Sequence, residues 1–548
     1  MKKLDRLIAI NTLSKNTPAW VHENIFRLFR LQDLWILAYE NLKSSNKSLT
    51  PGIDHFDTLD VISLERLKDM VCNESYRFTV VKFDQIPMID NFGSPSVLPN
   101  ANDKIVQEII RIILDSIYEP IFSPTSFGFR LASGYHEALN YVEHKFRSVD
   151  WIIKVDIDSP YPNINHSVLV ECLSKRIKDH RFINLIWKLL KSGVLENPRL
   201  DRSGFGVSQR SIVFPILVNI YYHELDEYIA KIFLEISTRD FSKLKSPSYK
   251  FFEHKIETIH EKLKEIPRKN SLRIELLTEL RNLKTQRMKV PILSEPPITV
   301  EYVRYAEDWM VGITGNRYLA EHTKSEILVF IHTKLKQLFN STRIRVTDIH
   351  KGHVYFLGYV IYLPKEGKFS DSINNGVHTI LCTKTMLRLE VPLKLVLDRC
   401  VQKGYLSRTL RGIRPISRSS YAIKQDHVIV LHYKRLILGI LGYYSGASNQ
   451  RNLQYIQYLL QISCAMTLAH RHRMSCSKVF KKHGKNLRVS IPNTHKYVEL
   501  SLRTSWSFVD KIWQFGHQFK DSCEQCVNKI SCSNIGLPCI ICDSVEEI

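Results

Sequence analysis

Long apolar runs are missing from this 548-residue chain. The longest clean stretch, Ile212–Tyr222, stays well under the ~18 residues of a membrane span and contains Pro215 and Asn219. No membrane-spanning helix is expected. The opening MKKLDRLIAIN lacks a secretory cleavage pattern and is not an Arg/Ser-rich, acid-poor presequence. We therefore expect a protein that is cytosolic or made inside the compartment where it works. Cysteine supplies no disulfide framework, because six of the eleven (Cys72, Cys172, Cys382, Cys400, Cys464, Cys476) are scattered singly, which suits a reducing compartment. No internal repeat or low-complexity tract is present. Acid is scarcest where base is richest: residues 401–490 hold sixteen Lys and Arg against one acid, Asp426. Most of the net charge of +22 lies there, whereas a merely soluble surface would intersperse both signs. Such a segment calls for a polyanion; nucleic acid is favoured, with an anionic membrane surface as the alternative.

What is present is a globular composition, 44% hydrophobic and 24% charged, with length for roughly three or four domains. Asn46–Asp54, NKSLTPGID, is a turn-rich break after a helical start. Residues 104–147 read as helical on an Ile105, Ile109, Ile112, Ile113 stripe, interrupted by YEPIFSPTSFGFR and resuming near Tyr135. Trp151–Asp156, WIIKVD, is a short buried-type strand. Residues 230–298 alternate in charge at helical spacing and read as solvated, inserted helices. FLGYVIY, from Phe356, is strand-like, and 366–500 is mostly helical and basic.

The most informative segment is EYVRYAEDWMVG, residues 301–312. Alternating runs Tyr302–Tyr305 and Trp309–Ile313 flank a reversal carrying Glu307 and Asp308, which predicts a β-hairpin with adjacent carboxylates at its tip. Paired acids repel unless a cation neutralises them, so a divalent-metal site is one reading and an ordinary surface turn the other. Asp156 ends its own apolar strand before a turn with Ser159, Pro160 and Pro162. Together with Glu307 and Asp308 it would complete a three-acid set of the kind that holds two metals for in-line phosphoryl transfer. Spacing alone does not bring residues so distant together.

The chain resembles the group II intron-encoded reverse transcriptase/maturases, with motifs in order over nearly its full length. NKSLTPGID resembles the first fingers motif, and IPMIDNFGSPSVLPNANDKIVQEIIRIILDSIYEPIFSPTSFGFR the second. KVDIDSPYPNINH is similar to the palm strand with the first catalytic Asp. GFGVSQRSIVFPILVNIYYHELD resembles the nucleotide-gripping motif, YVRYAEDWMVGI the Tyr-Ala-Asp-Asp hairpin, and FLGYVIY the last palm motif. ILGYYSGASNQ and LQISCAMTLAHRHRMSCSKVFKKHGKNL resemble the maturase thumb, domain X. The resemblance implies an α/β right-hand polymerase followed by an α-helical thumb and a Cys-rich tail: N-terminal helices and fingers over 1–150, palm over 151–365 with the 230–298 insertion, thumb over 370–500, tail over 505–548. It implies Mg²⁺ held by Asp156, Asp308 and the Ile157 carbonyl, with Glu307 in the place of the first hairpin Asp. It also implies Tyr161 as a gate against the 2′-hydroxyl of the incoming nucleotide, for which an ordinary core tyrosine is the alternative, and Gln209 beside that nucleotide.

Departures gather at the implied polymerase site. Glu307 sets its carboxylate one methylene further out, and a ~1 Å misplacement costs roughly 100-fold in rate. Ser94 stands where a basic residue is expected, Ser96 and Val97 where Leu-Gly is usual, and Arg210 where a glycine is. Asp158 replaces a common Lys and Pro162 a common Asp. The thumb-like segment, by contrast, keeps Arg471, Arg473, Lys478, Lys481, Lys482 and Lys485 among Tyr443, Tyr444, Tyr455, Tyr458 and Phe480. Cations take phosphates and aromatics stack on unpaired bases; a solvated basic helix is the alternative. In the tail, Cys523-x-x-Cys526 and Cys539-x-x-Cys542 have zinc-site spacing with Cys532 between. The family's zinc-dependent HNH endonuclease needs histidines, yet 524–548 has none. We expect a small Zn²⁺ knuckle, with unliganded thiols as the alternative, and no DNA cleavage.

The expectation is thus a maturase that binds group II intron RNA and promotes its splicing on a partly degenerate polymerase scaffold. An active RNA-directed DNA polymerase, meeting DNA during intron mobility, is the alternative, and a general RNA-binding relic a third reading. The implied location is the mitochondrion, with plastid or bacterial cytoplasm as alternatives.

Overall fold

The computed structural model describes residues 5–44, 61–78, 100–130, 133–155, 164–192, 194–196, 199–201, 211–238, 247–265, 272–288, 298–337, 344–364, 369–374, 377–382, 386–410, 412–492 and 496–500. Its centre is a four-stranded antiparallel sheet. Val300–Tyr305 lies at one edge, followed by Asp308–Ile313, Trp151–Val155 and Ile344–Asp348. Trp151–Val155, expected as a buried strand, is an inner strand of this sheet. Its register pairs Lys154 with Met310 on one side and Arg345 on the other.

Alternation sends successive side chains to opposite faces, and here both faces are covered. Ile153, Val155, Tyr302, Trp309, Val311 and Ile313 join one core with helices Ala101–Tyr118, His166–Ser174 and Phe214–Thr238. Ile152, Val303 and Met310 join a second core. That core runs through Tyr135–Lys145 and the strand pair Val354–Phe356/Tyr359–Tyr362 into helices Asp426–Tyr443 and Gln450–Arg471. Helix starts are fixed by side-chain acceptors of the usual capping type. Asn165 takes the N–H groups of Ser167 and Val168, and Asn316 that of Leu319. Asp179 caps His180–Lys191 and also accepts Phe26 N–H at 2.8 Å, which ties the N-terminal helices to the body.

The expected helical stripe forms Ala101–Tyr118, and the inserted segment forms two helices, Pro247–Glu265 and Leu272–Met288. These two share a small core of their own, Ile256, Ile259, Leu263, Leu280 and Leu283. FLGYVIY differs from the expected single strand. Leu357 and Gly358 both have positive φ, 47° and 71°, and turn it into a hairpin, since a two-residue loop needs that hand. The region after 366 is also less uniformly helical than its composition suggests. It holds the strand pairs Phe369–Asn374/Val377–Cys382 and Leu406–Thr409/Gly412–Pro415 among the helices. Among the described residues no helix is long and apolar enough to cross a membrane, and Cys72, Cys172, Cys400, Cys464 and Cys476 are free thiols.

Candidate functional site

The hairpin forms as read, with one refinement. Tyr305 pairs with Asp308 across the ladder, so the loop is Ala306–Glu307 and Asp308 heads the returning strand. Ala306 takes φ 56°, a left-handed conformation that costs an L-residue roughly 1–3 kcal/mol unless its surroundings impose it. The surroundings do so. The SFGFR segment lies against the loop: Arg304 N–H donates to Thr125 O at 3.0 Å and Phe127 N–H to Arg304 O at 2.8 Å. Gly128 approaches so closely that a Cβ there would sit 2.2 Å from Ala306 N; only glycine leaves room.

Behind the hairpin, Arg304 is fully buried. Its Nε and Nη2 donate to the two oxygens of Asp226 at 2.8 and 2.7 Å, and its Nη1 to Asn219 Oδ1 at 3.0 Å and Ala306 O at 2.8 Å. Tyr302 Oη donates to Asp226 at 2.7 Å, and Asn219 Nδ2 to Gly128 O at 2.8 Å. Burial acts against the Arg304 charge, but the Asp226 carboxylate more than offsets it and raises its basicity further. The same burial, then the Asp226 charge, holds the Tyr302 hydroxyl far above its usual range. The guanidinium therefore joins the long helix to the hairpin loop, and Asn219 joins the same helix to the SFGFR segment.

The two adjacent carboxylates part. Asp308 shares the face of Met310 and forms an ion pair with Lys154 of the central strand, whose ammonium also lies 5.1 Å from the centre of the Phe356 ring. Glu307 acts toward the other side: the Tyr222 hydroxyl is raised first by burial and further by the Glu307 charge. Among the described residues no three His, Cys, Asp or Glu side chains converge as a metal cluster. Glu307 and Asp308 are hard oxygen donors of the kind Mg²⁺ prefers. Asp308, however, already faces a cation supplied by the chain. Asp156, Ile157, Tyr161 and Gln209 lie outside the described residues, as do Ser94, Ser96, Val97, Asp158, Pro162, Arg210 and the tail thiols Cys523, Cys526, Cys539 and Cys542.

The basic segment resolves into two kinds of cation. Lys478, Lys481 and Lys482 are exposed on helix Cys476–His483. The helix is held down by fully buried Val479 and capped by the Ser475 hydroxyl, which accepts Lys478 N–H at 3.4 Å. Lys485 and Arg473 are exposed beside them, and Tyr455 and Tyr458 present 44% and 57% of their surface. Arg471 is different. Its Nε pairs with Asp426 at 2.8 Å and its Nη1 donates to the Ile423 and Lys424 carbonyls, so its guanidinium braces the turn before Asp426–Tyr443. Tyr443 and Tyr444 also depart from the reading. Both are buried and offer no stacking face. Their hydroxyls donate to Leu357 O and Gly358 O at 2.8 and 3.3 Å, which fixes the FLGYVIY hairpin to the helical unit.

A family model described as type II intron maturase matches residues 384–522, which contain this basic surface. The group II intron-encoded protein LtrA of Lactococcus lactis is 29% identical over 488 residues, covering 86% of this chain and 78% of that protein. Over most of its length the chain is similar to group II intron-encoded proteins. A putative COX1/OXI3 intron 1 protein of Saccharomyces cerevisiae is 26% identical across all of the chain and 66% of its own length. An uncharacterized 91 kDa protein in the cob intron of Schizosaccharomyces pombe is 28% identical over 93% of the chain and 63% of its own length. That similarity supports a reverse-transcriptase-like fold, and the antiparallel sheet with a carboxylate hairpin accords with it.

Sequence reasoning missed Lys154, Arg304, Asp226, Asn219 and Gly128. Lys154 did carry a signal: it is a charge inside the otherwise apolar strand WIIKV, and a buried charge needs a partner.

Proposed function

We propose that this chain is a maturase that binds the RNA of a group II intron and holds it in its splicing-competent fold. One observation carries the reading: the residues matched by the maturase model present the exposed Lys478, Lys481, Lys482 and Lys485 together with Tyr455 and Tyr458. Lysines neutralise phosphates with release of counterions, and exposed tyrosines stack on unpaired bases. In this role the bond-breaking chemistry belongs to the RNA. The test is splicing of a host intron RNA at low Mg²⁺ with and without the protein. Acceleration at stoichiometric protein is the expected result, and an unchanged rate with tightly bound RNA would overturn the reading.

A second reading, RNA-directed DNA synthesis, draws support from Asp308 heading a strand next to the one that leads to Asp156. Asp156, Asp308 and the Ile157 carbonyl would hold Mg²⁺, with Glu307 beside them; Tyr161 and Gln209 would contact the nucleotide. The bound metal would supply electrostatic stabilisation to a phosphoryl transfer. Primer extension that is present in the native chain and absent in Asp308→Asn would establish this activity. For the tail we propose a Zn²⁺ knuckle on Cys523, Cys526, Cys539 and Cys542. Relatives encoded in COX1 and cob introns, and an uncharacterized mitochondrial protein of Marchantia polymorpha at 24% identity, support a mitochondrial location.

A further inference from the structure

Lys154 is charged, 7% exposed and placed on the central strand two residues before Asp156. Strand alternation turns it to the same face as Ile152 and Met310, where its ammonium meets Asp308 Oδ1 and the face of Phe356. From the ion pair and its burial we propose that Lys154 is a built-in counter-cation of the hairpin carboxylate, which weakens divalent-metal binding there. This rests on Asp308 being a metal ligand in the palm and is independent of the splicing role.

The physical case has three parts. An ammonium taken out of water is stabilised by its paired acid, so a metal that captured Asp308 would cost Lys154 that carboxylate. A metal that shared the carboxylate would meet a like charge at close range with little water to screen it. Mg²⁺ also gives up its own water reluctantly and gains less from a carboxylate that is already neutralised. The chain can therefore hold its hairpin in the native arrangement without metal. A polymerase site that relied on the ion to balance its acids would lack that independence.

The test is direct Mn²⁺ binding to the full-length protein, read from the free-ion electron paramagnetic resonance signal. Asp308→Asn defines which sites depend on the hairpin carboxylate. Lys154→Met removes the charge and keeps a flexible apolar stem for Phe356. Lys154→Gln serves as the second variant should the first not fold. Either Lys154 variant is expected to bind Asp308-dependent Mn²⁺ at least about tenfold more tightly than the native chain. Its metal-free melting temperature should fall and recover with Mn²⁺, while the native melting temperature stays unmoved. Asp308-dependent affinity that is unchanged, or absent in native and variant alike, would overturn the proposal. The splicing assay on the native chain reports separately on the maturase reading, so failure of one is distinguishable from failure of the other.

Discussion

Replacing Asp226 by Asn should unlatch the hairpin. The substitution keeps the shape of the side chain and removes its charge, leaving the fully buried Arg304 guanidinium with Asn219 and Ala306 O as neutral acceptors. The Arg304 and Asp226 side chains are 0% and 1% exposed, so water cannot replace the lost partner. Breaking a buried pair from one side costs about 3–5 kcal/mol. The new amide also directs an N–H₂ at groups that were donating, Tyr302 Oη or the guanidinium, and an unsatisfied buried donor adds about 1–3 kcal/mol. Against a total stability of about 5–15 kcal/mol, this is a large fraction. Urea denaturation followed by circular dichroism should show the loss, and amide hydrogen exchange across 300–313 should show it first in the hairpin. Arg304→Lys should fall between, because lysine keeps the charge but cannot span both Asp226 oxygens and Ala306 O together. A loss below about 0.5 kcal/mol in Asp226→Asn, within the usual span of a harmless surface change, would refute the latch.

Four further outcomes are expected. Lys481→Ala with Lys482→Ala should weaken intron RNA binding and reduce the salt dependence by roughly two units of log–log slope; an unchanged slope would remove this helix from the interface. Gly128→Ala must push Ala306 aside, since its Cβ would sit 2.2 Å from Ala306 N; overpacking of this sort costs about 1–3 kcal/mol, and thermal melts will read it. His432 lies against Tyr421 and Tyr405 and is lowered to about 3, first by burial and then by Arg418 and Arg435. A histidine depressed on folding contributes stability that is complete above the unfolded value near 6.5 and lost as pH falls toward 3, by up to about 1.4 kcal/mol per pH unit; His432→Gln should flatten the pH dependence of urea stability over that window. Changing Cys523 and Cys526 to Ser should abolish bound zinc, which metal analysis will detect.

The parts of the fold that follow a simple period were legible. The Ile105–Ile113 stripe and the 302–313 hairpin repeat at 3.6 and 2 residues, Trp151–Val155 is a short apolar run, and each formed where it was read. FLGYVIY was not legible, because its turn runs through Leu357, a residue that rarely adopts positive φ. Tyr443 and Tyr444 were misjudged for a related reason. Composition marks an aromatic near lysines as a stacking platform, but only tertiary packing decides whether its face is open. Asp226 and Asn219 were invisible as partners of Arg304, since contacts across some eighty residues leave no local pattern. Of the implied site, the described residues establish where Glu307 and Asp308 stand.

The central sheet is a party wall. Neither of its faces belongs to it alone: Ile153, Val311 and Ile313 serve the core on one side, Ile152, Val303 and Met310 the core that supports the maturase helices on the other. A lineage that stopped copying nucleic acid would be free to change residues at the open end of the strands without disturbing either core. It could not discard the strands themselves, because helices Asp426–Tyr443 and Gln450–Arg471 share the second core with them. Such a chain ages from the tips of its strands inward, and the last trace of a polymerase to vanish would be its masonry.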